Sequence, residues 1–234
     1  KSFIFAIIGQ SINDLVIVSQ VWWKSLLLEE ALEFQTAQNI SDVVFHGQSY
    51  DVMQIVLNVV VAAGGIAGSF IAITVAQAWK DGRLCFSCIQ TPVALPWVAA
   101  IGTLLALPSM ILMPLTMTVD IWLVYFINFY DQMMPAGNNV ISAEIVMEAI
   151  PPSRRVTATS ILYVIAFLLG DCPGPYIVGA ISDAIRRCAD DSETRFYSLT
   201  TALYITSSLF LPCAIVFIIA ALFLKQERLV EKEE

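Results

Sequence analysis

The sequence predicts an all-α, polytopic membrane protein that crosses the bilayer six times. Hydrophobic residues make up 58% of the 234 positions and charged residues 14%, whereas about a quarter of the residues of a soluble domain are charged. The apolar residues gather in six runs, each close to the roughly 20 residues that a helix needs to cross a bilayer. No run alternates apolar with polar residues as a barrel strand would, so we expect the spans to be helices.

The six predicted spans follow one another along the chain. They cover approximately residues 3–23, 53–76, 91–113, 120–143, 157–180 and 200–224. In the second span, Gly64 and Gly68 have the small-xxx-small spacing that allows another helix to approach closely. In the third span, the prolines predict kinks, because neighbouring helices can satisfy the freed carbonyl groups. These prolines are Pro92, Pro96 and Pro108.

The basic residues predict the orientation, because cytosolic loops of membrane proteins are enriched in lysine and arginine. With both termini on one side, eight basic residues fall on that side, namely Lys1, Lys80, Arg83, Arg154, Arg155, Lys225, Arg228 and Lys232. Four fall on the other side, namely Lys24, Arg186, Arg187 and Arg195. We therefore expect both termini to be cytosolic, with residues 225–234 as an acidic tail. The longest loop, Lys24 to Tyr50, then lies opposite and carries the N-glycosylation candidate Asn39 in Asn-Ile-Ser.

Polar side chains inside the spans are the candidate functional residues. A carboxylate at the bilayer centre costs about 2.5 to 3.5 kcal/mol, so each should face a water-filled cavity or a partner. We expect Asp14 and Asp131 to serve a pathway for a substrate or a proton, since an unpaired charge has no evident structural use there. The amides are expected to bridge helices at least as readily as to line the pathway. The candidate pathway comprises Asn13, Asp14, Asp131, Gln132, Asn138 and Asp171.

The segment around Asp171 predicts a helix break. It carries Gly170, Pro173 and Pro175, and proline removes the amide hydrogen that would continue the helix. Backbone amides freed by the break could hold the Asp171 carboxylate as a cap. A structural role for Asp171 therefore stands beside a role in transport.

The stretch from Pro152 to Asp183 resembles the spinster family of the major facilitator superfamily. It begins Pro-Ser-Arg-Arg-Val-Thr-Ala and continues, after an apolar stretch, as Leu-Leu-Gly-Asp-Cys-Pro-Gly-Pro-Tyr-Ile-Val-Gly-Ala-Ile-Ser-Asp. In that family a Pro-Thr-Arg-Arg turn precedes a helix with Leu-Leu-Gly-Asp-Ala-Gly-Ser-Pro-Tyr that closes near Ile-Ser-Asp, at the same spacing. Upstream, Glu144 stands where the family has an aspartate, and Asn138 matches a family asparagine. The family's membrane glutamate falls on Gln132, beside Asp131, so a proton-carrying role would move by one residue or be lost.

This resemblance implies one half of a major facilitator fold, in which two three-helix repeats have inverted topology. Residues 1–234 would be the C-terminal transmembrane half, and the N-terminal six-helix half would be its missing partner. Substrate would bind near the midplane between the halves, and rocking of one half against the other would alternate access. The family implies lysolipids or sphingoid phosphates as substrates, proton coupling in some members, and a lysosomal, late endosomal or plasma membrane location.

The resemblance also suggests a gate built from charged residues near the ends of the spans. Arg154 and Arg155 occupy a cytosolic turn and could form ion pairs or contact anionic headgroups. With them we group Glu144 and Asp183. A role in fixing membrane topology explains the two arginines equally well.

An intramembrane aspartyl protease is the sharpest enzyme alternative. Tyr-Asp at Asp131 and Leu-Leu-Gly-Asp at Asp171 resemble the two aspartates of that class, which share a proton and activate water. Its Gly-x-Gly-Asp motif needs glycine where Leu168 stands, and no Pro-Ala-Leu follows in the last span. Other hydrolases are disfavoured because the one histidine, His46, is placed in a loop. We therefore do not expect an enzyme.

Nucleic acid, metals and cofactors are not expected as partners. The formal net charge is −8 and no basic run is present, which disfavours binding to phosphates. Cys85 and Cys88 have the spacing of half a zinc site, but no second pair follows. Membrane lipids and a lipid-like substrate are the expected partners. A carrier of another small organic solute and a scaffold formed by an unpaired half stay open as alternatives.

Overall fold

The computed structural model is helical and describes residues 2–38, 41–83, 90, 91, 93–186 and 191–233. Within these residues the helices are α1 (Ser2–Ala37), α2 (Ser41–Phe45), α3 (Tyr50–Asp81), α4 (Ala94–Thr116), α5 (Ile121–Ala149), α6 (Arg155–Ala166), α7 (Pro173–Arg186), α8 (Ser192–Ser207) and α9 (Phe210–Glu233). Residues named above that lie outside the described part are Lys1, Asn39, Cys85, Cys88, Pro92 and Arg187.

Five helical segments of the described chain are long and apolar enough to cross a membrane. They are Ser2–Ala37, Tyr50–Asp81, Ala94–Thr116, Pro152–Arg186 and Ser192–Gln226. The remaining segment, α5, is also long, at 29 residues, but it carries Asp131, Gln132 and Asn138, half of the six candidate pathway residues. Each of the six predicted spans falls largely within one of these segments.

Helix α1 continues well beyond its predicted end, which corrects the loop predicted from Lys24 to Tyr50. Leucine and alanine favour a helix, and Leu27, Leu28 and Ala31 are fully buried along one face of this extension. The short helix α2 fills part of what remains, and Gly47 turns the chain toward α3 with a φ of 66°. Lys24 consequently lies inside α1 rather than in a loop.

Pro96, one of the prolines predicted to kink the third span, acts differently from that prediction. Pro96 lies in the first turn of α4, where its missing amide hydrogen has no helical partner to lose. Pro108 and Pro114 lie inside α4. Pro96 therefore helps the helix to begin and does not kink it.

The predicted break at Gly170, Pro173 and Pro175 is a π-helical turn between α6 and α7. The turn spans Phe167–Asp171, and the Cys172 amide donates to the carbonyl oxygen of Phe167 at 3.0 Å. Pro173 opens α7, where proline is well tolerated. The chain thus remains helical through this segment, and the predicted capping of Asp171 by freed backbone amides is not found within the described residues.

Helix α5 lies at the centre of the bundle and contacts α1, α3 and α4. Its contact with α3 is close because α3 has glycines there: a Cβ at Gly64 would lie 2.7 Å from the carbonyl oxygen of Phe129. A Cβ at Gly68 would collide with the carbonyl group of Met133. The predicted small-xxx-small pair therefore faces α5.

Two hydrophobic clusters stabilise the bundle at different heights. The first includes Ala6, Val16, Ala99, Met110, Ile141 and Phe217. The second includes Leu27, Leu28, Met53, Met113, Val124 and Leu203. Along α5 most of the buried residues between these clusters are polar, namely Asn128, Asp131, Gln132 and Asn138. A polar region therefore lies between two apolar ones.

Candidate functional site

The polar region contains a fully buried ion pair that joins α1 to α5. The Nζ atom of Lys24 lies 2.5 Å from Oδ2 of Asp131, and the two side chains are 1% and 0% exposed. Nζ also donates to Oδ1 of Asn128 at 2.7 Å, and the Ser109 hydroxyl donates to Oδ1 of Asp131 at 3.3 Å. We call Lys24, Ser109, Asn128 and Asp131 the ion-pair cluster.

This geometry corrects the expectation that Asp131 carries an unpaired charge. Two charges removed from water are tolerated when they pair closely and when further hydrogen bonds satisfy them, and both conditions hold here. Lys24 was missed because it was assigned to a loop. The signal was its spacing: in a continued helix Lys24 shares a face with Leu28 and Ala31, and all three are buried.

A second polar group, nearer the N-terminal end of α1, is built around two carboxylates. Gln10 is fully buried, and its Nε2 donates to Oδ1 of Asp14 at 2.7 Å and to Oδ1 of Asn139. Asp171 follows Gly170 in the π-helical turn, and a Cβ at Gly170 would lie 3.0 Å from Cβ of Asp14, so the turn brings a second carboxylate near Asp14. We call Gln10, Asp14, Asn139 and Asp171 the carboxylate cluster.

Gly170 explains why the π-helical turn can come so close to α1. A Cβ at Gly170 would lie 2.5 Å from the carbonyl oxygen of Ser11 and 3.0 Å from Cβ of Asp14. On the far side of the turn, the Trp23 indole donates to the carbonyl oxygen of Pro175 at 2.9 Å. Asp14 and Asp171, which the sequence could not place relative to each other, therefore share one site.

Asn138 bridges three helices. Its Nδ2 donates to Oδ1 of Asn13 at 2.9 Å and to the Thr103 hydroxyl at 2.9 Å, so it links α5 to α1 and α4. Gln132 is buried, and its Nε2 has no hydrogen-bond partner. The interhelical role that the sequence favoured for amides thus describes Asn13 and Asn138, whereas Gln132 retains an unused donor.

The four candidate gate residues do not form one group. Arg154 and Arg155 are exposed beside the start of α6, and Nε of Arg155 donates to the carbonyl oxygen of Ile150 at 3.1 Å. Asp183 lies at the far end of α7, 3.5 Å from Arg186, so the length of α6 and α7 separates it from the arginines. Glu144 is partly buried on α5.

An ion pair that the sequence reasoning missed lies near the Arg154 end of the bundle. Lys80, in the last turn of α3, pairs with Glu148 at the end of α5. This pair ties together the ends of two helices that the glycines of α3 already bring close. It could not be anticipated, because the two residues are 68 positions apart.

Comparison with known proteins shows similarity along most of the chain. No family model matches. Protein spinster homolog 3 of Danio rerio is 22% identical over 229 residues, which are 97% of this chain and 44% of that protein. The sphingosine-1-phosphate transporter SPNS2 of Mus musculus is 32% identical over 141 residues, which are 60% of this chain and 26% of that protein. The chain spans less than half the length of either relative.

Among solved structures, the chain is similar to a bacterial homolog of the human lysosomal transporter Spinster in an inward-facing, occupied conformation. The TM-score is 0.69 at 17% identity, over 94% of this chain and 49% of that one. The same homolog in an unoccupied conformation gives a TM-score of 0.65. The chain is therefore a multi-pass membrane protein with the fold of half a major facilitator transporter.

Within that class the resemblance to the spinster family is confirmed. Relatives that match more than half of the chain include spinster homologs 3 and 1, in agreement with the family that the motif from Pro152 to Asp183 predicted. SPNS2 is named a transporter and the solved bacterial protein is a homolog of a lysosomal transporter, in agreement with the expectation that this chain is not an enzyme.

Proposed function

We propose that this chain is the C-terminal half of a secondary active transporter of the major facilitator type that carries sphingoid phosphates or lysolipids. The observation that supports this most directly is a set of charged side chains inside a spinster-like bundle, where bilayer insertion disfavours them unless they serve a partner or a pathway. The name of the mouse relative, a sphingosine-1-phosphate transporter, supports the substrate class.

Transport would require the N-terminal six-helix half as a partner. Helix α3 is mostly unburied, with Ile66 63% and Phe70 68% exposed, and Tyr176 on α7 is 78% exposed. Faces of this size need to be covered by lipid or protein. The second half covering α3 and α7 would enclose the carboxylate cluster, and rocking between the halves would alternate access to it.

Coupling to a proton gradient would use Asp14 and Asp171 rather than Asp131. The charge of Asp131 is balanced by Lys24 at 2.5 Å, so removal of its charge would leave the lysine unpaired. Asp14 and Asp171 are only partly buried, and a pathway between the halves would reach them. The candidate pathway is thereby narrowed to Asp14 and Asp171, with Gln132 as an amide whose donor is unused. Asn13 and Asn138, which bond to each other, and Asp131 would support the bundle.

Both termini of the segment would face the cytosol, in a lysosomal, late endosomal or plasma membrane. Removal of Lys24 from the count of loop residues strengthens the charge bias that supports this orientation, because eight basic residues now stand against three.

The test is uptake of labelled sphingosine phosphate and lysophospholipid into proteoliposomes that contain the natural full-length product, with and without a pH gradient. We expect gradient-dependent uptake that Asp14→Asn abolishes and Glu29→Gln retains, since Glu29 is exposed on the same helix. Uptake no greater than in protein-free vesicles would overturn the lipid assignment. Uptake that is insensitive to pH would refute proton coupling but would not contradict the proposed substrate class.

A further inference from the structure

We propose that α6 is a movable segment, which bends at the π-helical turn and closes onto the N-terminal part of α1 while α7 stays fixed. Its biological meaning rests on the proposed transport function, but the motion itself is measured without transport. Three features of the described residues point to it: an open groove beside α6, an interrupted helix at the inner end of that groove, and a tight anchor on the far side of the interruption.

The groove lies between α6 and the first half of α1. It has a volume of about 500 Å³ and is lined mainly by isoleucine and leucine side chains, among them Ile4, Ile8, Ile161, Ile165 and Leu169. Four of these, all except Ile165, are exposed. In a bilayer, helices associate through van der Waals packing rather than through the hydrophobic effect. Movement of α6 toward α1 would therefore replace an open groove by the kind of contact that stabilises membrane helices.

The regular helix is interrupted at the inner end of this groove. In the π-helical turn, the Cys172 amide donates to the carbonyl oxygen of Phe167, five residues back, at 3.0 Å. Pro173 and Pro175 have no amide hydrogen, so the carbonyl groups four residues before them lack the donors that an α-helix would supply. Sharp bends in helices occur at prolines and at π-helical turns, and Leu169 of this turn itself lines the groove. The turn is therefore the place where α6 can bend.

Helix α7, on the other side of the turn, is anchored to α1. A Cβ at Gly174 would lie 2.6 Å from the hydroxyl oxygen of Ser19, and a Cβ at Gly179 would lie 3.0 Å from the Trp23 ring. The Trp23 indole also donates to the carbonyl oxygen of Pro175 at 2.9 Å. Because α7 is held by these close contacts, whereas the groove separates part of α6 from α1, bending at the turn would move α6 and leave α7 in place.

The buried residues of α6 and α7 explain why the turn holds an extra residue. They recur at every fourth position, namely Ala158, Leu162, Ala166, Gly170, Gly174 and Val178. An α-helix rotates by about 100° per residue, so a spacing of four drifts by about 40° at each step. A π-helical turn accommodates one more residue and offsets part of this drift, which keeps the buried face toward α1. Deletion of an exposed residue of the turn, Leu168, should therefore give a continuous α-helix whose buried faces still contact α1.

The experiment measures distances between pairs of spin labels by pulsed electron paramagnetic resonance. It uses the full-length product in lipid nanodiscs, with its native cysteines replaced by serine. A label at Ile101 on α4 is paired with a label at Val156 on α6 or at Tyr176 on α7, and all three positions are exposed. Helix α6 has 12 residues and is about 18 Å long, so a bend of about 20° would move its far end by about 6 Å.

We expect two distances between Val156 and Ile101 that differ by up to about 6 Å, and one narrow distance between Tyr176 and Ile101. Deletion of Leu168 should reduce the two α6 distances to one, because it removes the π-helical turn. Pro173→Ala should act in the same direction by returning an amide donor to the helix, and it serves as the test if the deletion does not fold. Pro96→Ala is the matched control: it changes a proline in the first turn of α4 and should leave both distances.

Two results would overturn the proposal. A single narrow distance between Val156 and Ile101 in the parent would show that α6 does not move, as expected if a lipid chain or the second half permanently filled the groove. Two distances that persist after both changes at the turn would show that the bend lies elsewhere. Neither result contradicts the proposed transport function, which is judged by uptake into proteoliposomes, so the two can fail separately.

Discussion

Removing either member of the buried Lys24–Asp131 pair should destabilise the protein strongly, whereas removing both should not. The charges lie 2.5 Å apart and are at most 1% exposed. At an effective dielectric constant of about 20, their attraction is about 7 kcal/mol. Desolvation opposes this with several kcal/mol for each ion, so the intact pair contributes little net stability, but a single survivor keeps its desolvation cost.

The perturbation is a double-mutant cycle of Lys24→Met and Asp131→Asn in the full-length product. Each single variant should lose about 3 to 5 kcal/mol of unfolding free energy. The double variant should lose less than about 2 kcal/mol, because the introduced asparagine side chain can still bond to neighbouring polar groups such as the Ser109 hydroxyl. The interaction energy should therefore be about 4 kcal/mol or more.

The assay is reversible unfolding in mixed micelles, and an exposed ion pair of the same chain serves as the control. Arg195 and Glu33 lie 3.8 Å apart with 35% and 53% exposure, so the same cycle there should give an interaction energy below about 1 kcal/mol. Additive losses at Lys24 and Asp131, or single losses below about 1 kcal/mol, would show that the pair is not closed inside the protein and would refute the reasoning.

Two further predictions concern the packing around α5, and both use unfolding free energy as the measure. Gly68→Ala should cost about 1 to 3 kcal/mol because the added Cβ meets the carbonyl group of Met133, whereas Gly65→Ala, with nothing within 4 Å of its Cβ, should be neutral or slightly stabilising. Similar effects of the two substitutions would contradict the close approach of α3 and α5. Asn138→Leu should cost about 1 kcal/mol by removing two interhelical hydrogen bonds, and Asn58→Leu, at an exposed position, should cost nothing measurable.

The membrane fold could be predicted from sequence because the bilayer imposes a length on every span. About 20 apolar residues per crossing is a physical requirement, so hydropathy located the spans. The extension of α1 to Ala37 left no such mark, because it is a helix with charged residues on its outer face. Its only signal was the helical spacing of Leu27, Leu28 and Ala31. A hydropathy average over a window of residues hides this spacing, because it combines the apolar face with the charged face.

The candidate site was less predictable because the sequence names residues but not the rotation of the helices that carry them. In the sequence Asp14 and Asp131 look equivalent, because each is an aspartate inside a predicted span. Helix packing then placed a lysine against Asp131 and a second acid near Asp14. A hydrogen bond between amides of different helices was expected. The sequence could not show that Asn138 would pair with Asn13, which lies 125 positions away.

Charge balance separates the acids that hold the bundle together from those that remain available to a ligand. A carboxylate with an internal cation gains nothing from a bound one, since a second positive charge would have to displace Lys24 from 2.5 Å. Asp14 and Asp171 have no such competitor among the described residues, and Oδ1 of Asp171 is left without a hydrogen bond. Substitutions in the ion-pair cluster should therefore change the unfolding free energy with little effect on the pH dependence of uptake. Substitutions in the carboxylate cluster should change the pH dependence of uptake with little effect on the unfolding free energy, so the two measurements together distinguish scaffold from site.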